Sequence, residues 1–368
     1  LYVGGVLIQT PVTVGQGAAS IAQALQAAIA ANPDLPVTSA VTGAQITLTA
    51  LHKGMDAGNS IDLRASYFAG DHLPAGVQLA ITALSGGAGN PSIVPAIAVA
   101  AGWWNHWIMP YTDGPNVTAL LTELDSRFGG LTERDGHAYL ATTGSVGTLA
   151  AFGAQYNDAQ QSVMGIQRPP QPTFAWAASV GAVAAFALNL DPARPLQTLP
   201  LPGIMAPALA DRFVQTDRNL LLHDGIATFK VDDGGNVLIE RLVTSYRANA
   251  AGLPDQSYLD IETLATLSYL RFSLRSLIAQ KHPRDKLANN GTAFDAGQPI
   301  MTPALFIDEA IALALQWQEA GLVQGIDQFK ASLIATINAS DPSRLDALLQ
   351  PELIGQFRVF AGKIQFLQ

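Results

Sequence analysis

Residues 217–271 read DRNLLLHDGIATFKVDDGGNVLIERLVTSYRANAAGLPDQSYLDIETLATLSYLR, and this sequence predicts the two structural elements from which the interpretation of the chain starts. Its first half holds two alternating apolar runs, residues 226–231 and 237–243, on either side of a DDGG turn at residues 232–235. A tight turn between strands requires positive φ, which glycine adopts readily. The pattern therefore predicts a β-hairpin.

A long helix is predicted after this hairpin. Residues 249–254 are turn-forming types, and Asp255 or Ser257 is placed to cap the helix, because their side-chain oxygens accept hydrogen bonds from its first backbone N–H groups. Leucines then recur at spacings of three and four, which places them on one face. They are Leu264, Leu267, Leu270, Leu274 and Leu277. We expect the helix to bury this stripe.

The sequence before this stretch alternates between strand and helix patterns. Strands are predicted at residues 104–109, 138–142 and 162–166, and helices at residues 93–101, 116–128, 147–155 and 174–188. Parallel strands need crossover connections, so the alternation predicts a parallel sheet with helices on both faces. We expect residues 86–255 to form a doubly wound, mainly parallel α/β core with subtilisin-like topology.

Residues 1–85 are predicted to form a separate, small α+β module. An Ala-rich helix is expected at residues 17–31, and strand-like runs occur at residues 2–3, 6–14, 45–51, 60–67 and 77–84. The glycine-rich residues 85–91 are interpreted as a linker. The alternative, a cradle for an anion, lacks the Lys and Ser/Thr that complete a phosphate-binding loop.

Residues 256–368 are predicted to form a C-terminal α+β domain. An amphipathic helix is expected at residues 303–320, and a weakly alternating strand at residues 329–338. Residues 357–367 alternate more strongly and predict an extended terminal strand. Because an exposed strand of this kind pairs readily with another chain, we expect it to be an interaction arm. Its candidate residues are Phe357, Arg358, Val359, Phe360, Lys363, Ile364, Gln365 and Phe366.

Composition limits the classes of function. Of the 368 residues, 49% are hydrophobic and 13% are charged, so we expect much of the surface to contact other subunits. The net charge of −9, with no basic cluster, argues against nucleic-acid binding. The absence of cysteine excludes disulfides and thiolate metal sites. The most apolar run, residues 175–190, is shorter than the roughly 18 residues of a membrane span, and no membrane insertion is expected.

Three polar residues, Asp113, His137 and Ser145, occur in the order used by subtilisin-type hydrolases. The Gly-Thr-Ser-Met-Ala context of that family's nucleophile is absent around Ser145, so we expect no catalytic site. We expect the His137 ring to be satisfied by local hydrogen bonds. The six histidines include no HExxH or i, i+4 pair, so neither a metal site nor a cofactor is expected.

The tryptophan cluster Trp103, Trp104 and Trp107 has two interpretations. It suits a platform for a carbohydrate or a partner, but aromatic residues in a strand usually belong to the core. We place the cluster in the core.

A charged group near the hairpin also has two interpretations. Arg241, Arg247, Asp255 and Asp260 either form ion pairs between subunits or make a solvated face. Single surface pairs contribute only about 0–1 kcal/mol, which leaves the second interpretation open.

The amino-acid sequence of residues 217–271 resembles that of the tail sheath proteins of Mu-like contractile-tailed bacteriophages. The likeness returns in PYTD at residues 110–113, DPARPLQTL at 191–199, DQFK at 327–330, QFRVF at 356–360 and KIQF at 363–366. It covers most of the chain in order.

The resemblance implies a structural, non-enzymatic subunit that polymerises around a tail tube and contracts to drive it through the host envelope. The implied partners are other copies of the chain, the tail tube protein, and baseplate and tail terminator proteins, in a virion assembled in the host cytoplasm. Residues 1–85 are implied to be an inserted, outward-facing module. Terminal arms are implied to complete the sheets of neighbouring subunits. Because Leu1 lies within a strand pattern, we expect a further N-terminal segment.

Two other classes stay open from the residues alone. An α/β hydrolase-like enzyme requires a pocket with convergent polar groups and perturbed titrations. A ligand-binding module is expected to hold its ligand within residues 1–85. Only a sheath protein is expected to form tubular polymers, so the observation of tubes distinguishes it from an enzyme and from a ligand-binding module.

Overall fold

The computed structural model describes residues 1–68 and 70–365. Two compact units emerge from the contacts within the chain. One comprises residues 1–186 and 196–261, and the other comprises residues 187–195 and the chain from residue 262 onward. The first unit therefore holds the predicted N-terminal module together with the α/β core.

The described part of residues 1–85 is a small α+β arrangement. Its elements are β1 (Tyr2–Val3), β2 (Val6–Leu7), α1 (Ala18–Ala30), β3 (Val37–Thr42), β4 (Gln45–Ala50), α2 (Met55–Asn59) and β5 (Leu63–Arg64). β1 pairs antiparallel with β2 and β5, and β3 pairs antiparallel with β4. Val3, Ile29 and Leu35 are buried in its core. The strand predicted at residues 77–84 is wrong, since these residues have no regular secondary structure.

The remainder of the first unit alternates between helices and strands. Its elements are α3 (Val94–Val99), β6 (His106–Ile108), α4 (Gly114–Phe128), β7 (His137–Thr143), α5 (Val146–Ala154), β8 (Gln161–Ile166), α6 (Thr173–Leu190), β9 (Pro200–Met205), a 3-10 turn (Leu209–Asp211), α7 (Gln215–His223), β10 (Thr228–Val231) and β11 (Asn236–Arg241). The strands and helices predicted between residues 93 and 188 are all present, with bounds that differ by a few residues.

A parallel sheet lies at the centre of this unit. β7 pairs in parallel with β6 on one side and with β8 on the other. Ala227 continues the sheet beside β8: its N–H donates to the Val163 carbonyl at 2.8 Å, and its carbonyl accepts from the Gly165 N–H at 3.0 Å. β8 is buried along its whole length, as parallel strands covered on both faces are. The predicted α/β core with a parallel sheet is confirmed.

Helices cover both faces of this sheet. On one face, Leu140 of β7 shares a buried cluster with Leu124 of α4, Leu149 of α5 and Leu221 of α7. On the other face, α6 lies close to the strands: a Cβ on Gly181 would be 2.9 Å from Ile108 Cγ1 and 3.2 Å from Tyr139 Cδ2. The described strands follow chain order, β6-β7-β8, with no reversal among them.

Helix α6 is long and apolar enough to cross a membrane by length and composition. Trp176, Ala177, Val180 and Ala184 are nevertheless fully buried in the protein, and their spacing places them on one helical face. One face of the helix is therefore packed inside the protein, while Phe186 and Leu190 on the rest of its surface are exposed.

The predicted hairpin is confirmed. β10 pairs antiparallel with β11, and β9 extends the sheet beyond β11. The turn uses Gly235 at φ 82°, while Asp232 Oδ1 accepts a hydrogen bond from the Asn236 N–H at 2.8 Å. Asp232 thus stabilises the turn through its own backbone neighbours.

The second unit is mainly helical with three pairs of short strands in its described part. Its elements are α8 (Ile261–Lys281), β12 (Lys286–Leu287), β13 (Ile300–Met301), α9 (Pro303–Glu319), β14 (Val323–Gln324), α10 (Ile326–Ser332), β15 (Ile334–Ile337), β16 (Leu345–Leu348) and β17 (Glu352–Leu353). β12 pairs with β13 in parallel, and the pairs β14–β17 and β15–β16 are antiparallel. The core contains Leu270, Phe306, Trp317 and Phe329.

Two sequence predictions in this part are wrong in detail. Residues 329–332, predicted as strand, belong to α10, because Ile326 and Phe329 both reach the core at the three-residue spacing of a helix. Neither Asp255 nor Ser257 caps α8, which begins only at Ile261. The Asp255 carboxylate instead accepts hydrogen bonds from Ser257 and from the Tyr246 hydroxyl.

Candidate functional site

The C-terminal arm, residues 357–365, leaves the second unit after β17. β17 is held by its pairing with β14, and the Ile354 N–H adds a hydrogen bond to the Leu322 carbonyl at 3.0 Å. Beyond this point residues 357–365 have no regular secondary structure. The predicted strand is therefore not formed in the single chain, because a strand needs a hydrogen-bonding neighbour. Phe366 lies outside the described residues.

Except for Arg358, the side chains of the arm are exposed. The exposed fractions are 75% for Phe357, 81% for Val359 and Phe360, and 99% for Ile364. Lys363 and Gln365 are exposed as well. Contiguous apolar surface of this kind marks a site of association. The arm is thus the candidate assembly site.

Arg358 differs from the other residues of the arm. Its side chain is 13% exposed, and its Nη2 atom lies 3.0 Å from Oε2 of Glu262, which is fully buried in the first turn of α8. The alternating pattern placed Arg358 in the arm, whereas Glu262 was not among the residues singled out from the sequence. The available signal was the one acidic residue of α8, in the first turn of a helix that also carries Arg271, Arg275 and Lys281.

Asp113 and Ser145, two members of the hydrolase-like set, are helix caps. Asp113 Oδ2 accepts from the Asn116 N–H at 3.4 Å at the start of α4, and Ser145 Oγ accepts from the Thr148 N–H at 3.2 Å at the start of α5. Burial by itself raises the pKa of Asp113, but hydrogen bonds from Asn90 and Asn116 outweigh it and hold the pKa below its ordinary value. These contacts are structural.

His137, the third member, is buried at the start of β7. Its Nε2 atom lies 2.9 Å from Ser162 Oγ, while its Nδ1 atom has no hydrogen-bond partner among the described residues. Burial and, to a smaller extent, nearby His106 lower the pKa of His137 to about 3. The imidazole is therefore neutral, and its hydrogen-bond partner is neither Asp113 nor Ser145. One of the two ring nitrogens, Nε2, thus has a local hydrogen-bond partner as predicted, and Nδ1 has none among the described residues.

The glycine-rich residues 85–91 have no regular secondary structure, as expected of a linker, but they are also fastened to residues 55–59 of the first unit by hydrogen bonds. Gly87 exchanges two hydrogen bonds of 3.1 Å with the Asn59 side chain. Asn90 Oδ1 accepts from the backbone N–H groups of Met55 and Asp56. Asparagine amides, which carry both donors and acceptors, make these attachments.

The placement of the tryptophan cluster in the core is wrong for Trp103 and Trp104, whereas Trp107 is partly buried and packs against the core. Trp104 is 57% exposed and Trp103 is 37% exposed, because β6 begins only at His106 and both precede it. Their loop is nonetheless ordered by contacts: Trp103 Nε1 donates to the Asp135 carbonyl, and Trp107 Nε1 donates to the Trp104 carbonyl.

The charged group near the hairpin pairs within the chain. The Arg241 guanidinium donates two hydrogen bonds of 2.9 Å to the Asp260 carboxylate. Arg247 Nη2 donates to the Tyr156 carbonyl at 3.2 Å. Arg241 and Asp260 thus already pair within the single chain, and an ion pair between subunits stays a prediction. Among the described residues, no three His, Asp or Glu side chains gather as a metal site would require.

An α/β core whose hydrolase-like residues serve as caps and core, together with an exposed apolar arm, defines a structural assembly protein. Comparison with known families identifies which one. The phage tail sheath protein central domain matches residues 86–245, and the phage tail sheath C-terminal domain matches residues 254–367. The chain belongs to the phage tail sheath protein family, and it is a structural subunit of a contractile tail sheath.

A known protein and two solved structures are similar to the chain. The Mu-like prophage FluMu tail sheath protein of Haemophilus influenzae is 41% identical over 368 residues, which cover 100% of this chain and 75% of that protein. A sheath tail protein of Listeria innocua has the same fold, with a TM-score of 0.50 at 12% identity over 87% of this chain and 73% of its own. One from Desulfitobacterium hafniense has a TM-score of 0.49 at 10% identity over 86% and 68%.

Proposed function

We propose that this subunit polymerises helically around a tail tube and contracts to drive the tube through the host envelope. The observation that carries the proposal is the arm: residues 359–365 are all exposed, and they include Val359, Phe360 and Ile364. In a neighbouring subunit such a segment gains a partner strand and buries its apolar face.

Many weak links hold such a lattice together. A backbone hydrogen bond contributes a net of only about 0.5–1.5 kcal/mol. Several bonds per arm, repeated over many subunits, make detachment of any one subunit unfavourable. The arms therefore keep subunits connected while the rest of each subunit moves during contraction.

The proposed organisation follows from this role. Residues 86–255 form the sheath core with a subtilisin-like topology, which the helices on both sheet faces support. Residues 1–85 form an outward-facing module, and residues 256–368 form the C-terminal domain with the arm. The proposed partners are other copies of the chain, the tail tube protein, and the baseplate and tail terminator proteins, in a virion assembled in the host cytoplasm.

We propose that the role is mechanical and involves no catalysis. Asp113 and Ser145 are occupied in capping helices, and His137 is neutral and buried against Ser162. A hydrolase-like enzyme and a ligand-binding module are the less favoured alternatives. A serine-directed phosphonate is expected to leave Ser145 unlabelled.

Electron microscopy tests the proposal. The protein at its full natural length, in negative stain, is expected to form tubes of uniform width, and loss of residues 361–368 is expected to abolish them. Circular dichroism then has to show the same melting transition in both proteins. Tubes of normal length from the shortened protein would contradict the role of the arm.

A further inference from the structure

Exposure changes abruptly at one residue of the C-terminal arm. Gln356 and Arg358 are half-buried, whereas every residue from 359 to 365 is exposed. The order of residue types is unusual, because Phe357 is 75% exposed while the Arg358 side chain beside it is only 13% exposed. A charged group rarely takes the buried position unless it is paired there. Among the described residues of the arm, Arg358 is therefore the last whose side chain is held against the second unit.

One partner of Arg358, Glu262, is fixed by the fold. Glu262 is the second residue of α8 and is fully buried, and α8 contributes Leu270 to the core of the second unit. The Arg358 guanidinium lies 3.0 Å from the Glu262 carboxylate and also donates to the Gln356 side chain. Removing one member of a buried ion pair leaves an uncompensated charge, which the fold resists. The contact is thus difficult to break while the unit stays folded.

We propose that Arg358 is the positioning residue of the arm: its ion pair with Glu262 fixes the point where the arm leaves the subunit. Only residues beyond Arg358 then engage a second copy of the chain. The seven described residues 359–365 alone span up to about 25 Å when fully extended, which is enough to reach past the surface of the second unit to another copy of the chain. This inference rests on the proposed function, because it assigns the receiving strand to a neighbouring subunit.

A distance measurement tests the anchor without assembly. The chain has no cysteine, so Val359→Cys and Asp327→Cys, both exposed positions of the second unit, accept two nitroxide labels. Double electron–electron resonance is expected to give a narrow distance distribution, which Arg358→Gln broadens at least twofold. The control Arg344→Gln removes an exposed ion pair with Asp346 and is expected to leave the width unchanged. An unchanged width in Arg358→Gln overturns the proposal.

Assembly of the protein at its full natural length tests the positioning role. Arg358→Gln is expected to raise the concentration needed for tube formation at least tenfold. Arg358→Lys, and the double substitution that exchanges the two charges (Glu262→Arg with Arg358→Glu), are expected to raise this concentration less than Arg358→Gln does. If Arg358→Gln broadens the distance distribution between the two labels but still forms normal tubes, the positioning role is overturned. If Arg358→Gln does not fold, Arg358→Lys carries both measurements with the same expectations in milder form. If the unsubstituted protein forms no tubes, the proposed function fails, and the distance measurement still decides whether Arg358 is an anchor.

Discussion

Asn90 donates a hydrogen bond from Nδ2 to Oδ1 of Asp113 over 2.6 Å. The same side chain accepts from the Met55 and Asp56 N–H groups, and the Asp56 carboxylate in turn accepts from the Thr112 N–H at 2.7 Å. One amide thus ties the N-terminal module to the cap of α4. The module and the α/β core are connected by specific polar contacts as well as by the chain.

Asn90→Ala is expected to destabilise the first unit by about 1–3 kcal/mol. It removes several hydrogen bonds at once, and each contributes roughly 0.5–1.5 kcal/mol net. Urea unfolding measures the loss. The control is Asn32→Ala, which removes an exposed local hydrogen bond to the Ala28 carbonyl and is expected to cost less than about 0.5 kcal/mol. Equal effects of the two substitutions would contradict the special role of Asn90.

Two glycines of α5 are expected to respond in opposite directions to alanine. A Cβ on Gly153 would lie 2.1 Å from the Asp224 carbonyl oxygen, a backbone atom that cannot move aside, so Gly153→Ala is expected to cost about 2–3 kcal/mol or more. A Cβ on Gly147 would meet only Ser145 Oγ, at 4.0 Å. Gly147→Ala is therefore expected to stabilise by up to about 1 kcal/mol. Thermal melts of both variants check the signs, and a neutral Gly153→Ala would show that α5 and α7 are not in close contact.

Buried His137 is expected to make stability depend on pH. Burial lowers its folded-state pKa to about 3, below the unfolded value near 6.5, so the unfolded chain binds the extra proton between these pH values. The contribution of His137 to the free energy of unfolding is therefore fully present above about pH 6.5. As the pH drops below this value, the free energy of unfolding falls by at most about 1.4 kcal/mol per pH unit, until about pH 3.

Urea unfolding at pH 7.5, 6 and 5 measures this slope. His137→Gln is expected to reduce it by the contribution of one proton, whatever the variant's stability at neutral pH. His72→Gln changes an exposed histidine and is expected to keep the slope of the unsubstituted chain. If His137→Gln leaves the slope unchanged, another group is responsible for it.

The sequence predicts the secondary structure of the core well, because local patterns decide it. The hairpin around the DDGG turn and the strands β7 and β8 combine strong apolar runs with clear turn signals, and their bounds agree within a few residues. The exposed position of Trp104 could not be predicted in this way. It depends on where β6 begins, which is decided by pairing with a strand about 30 residues away.

In the candidate site, too, features that depend on local sequence patterns could be predicted, and contacts between distant residues could not. Alternating residues near the C-terminus predict an arm, since periodicity is local information. The partner of Arg358 is not local: Glu262 lies 96 positions earlier, and only the folded chain brings the two together. Asn90 is similar, because its hydrogen bonds join segments that are 23 to 35 residues apart. Long-range polar contacts are therefore what the sequence patterns missed.

Ile364→Asp in the arm is expected to prevent assembly while leaving the subunit folded. The side chain is 99% exposed in the single chain, so the substitution costs the fold almost nothing. On a neighbour it would bury an unpaired carboxylate, which costs several kcal/mol. Since about 1.4 kcal/mol corresponds to tenfold in affinity, the concentration needed for tubes is expected to rise at least about 100-fold.

Sedimentation of the protein at its full natural length, with melting curves alongside, measures both effects. The matched control is Leu131→Asp, which places the same charge at a side chain that is also fully exposed but lies outside the arm. It is expected to leave both the melting temperature and the assembly concentration within error of the unsubstituted protein. Assembly of Ile364→Asp at the ordinary concentration would show that this part of the arm stays in water within the sheath, because a carboxylate there would then remain hydrated.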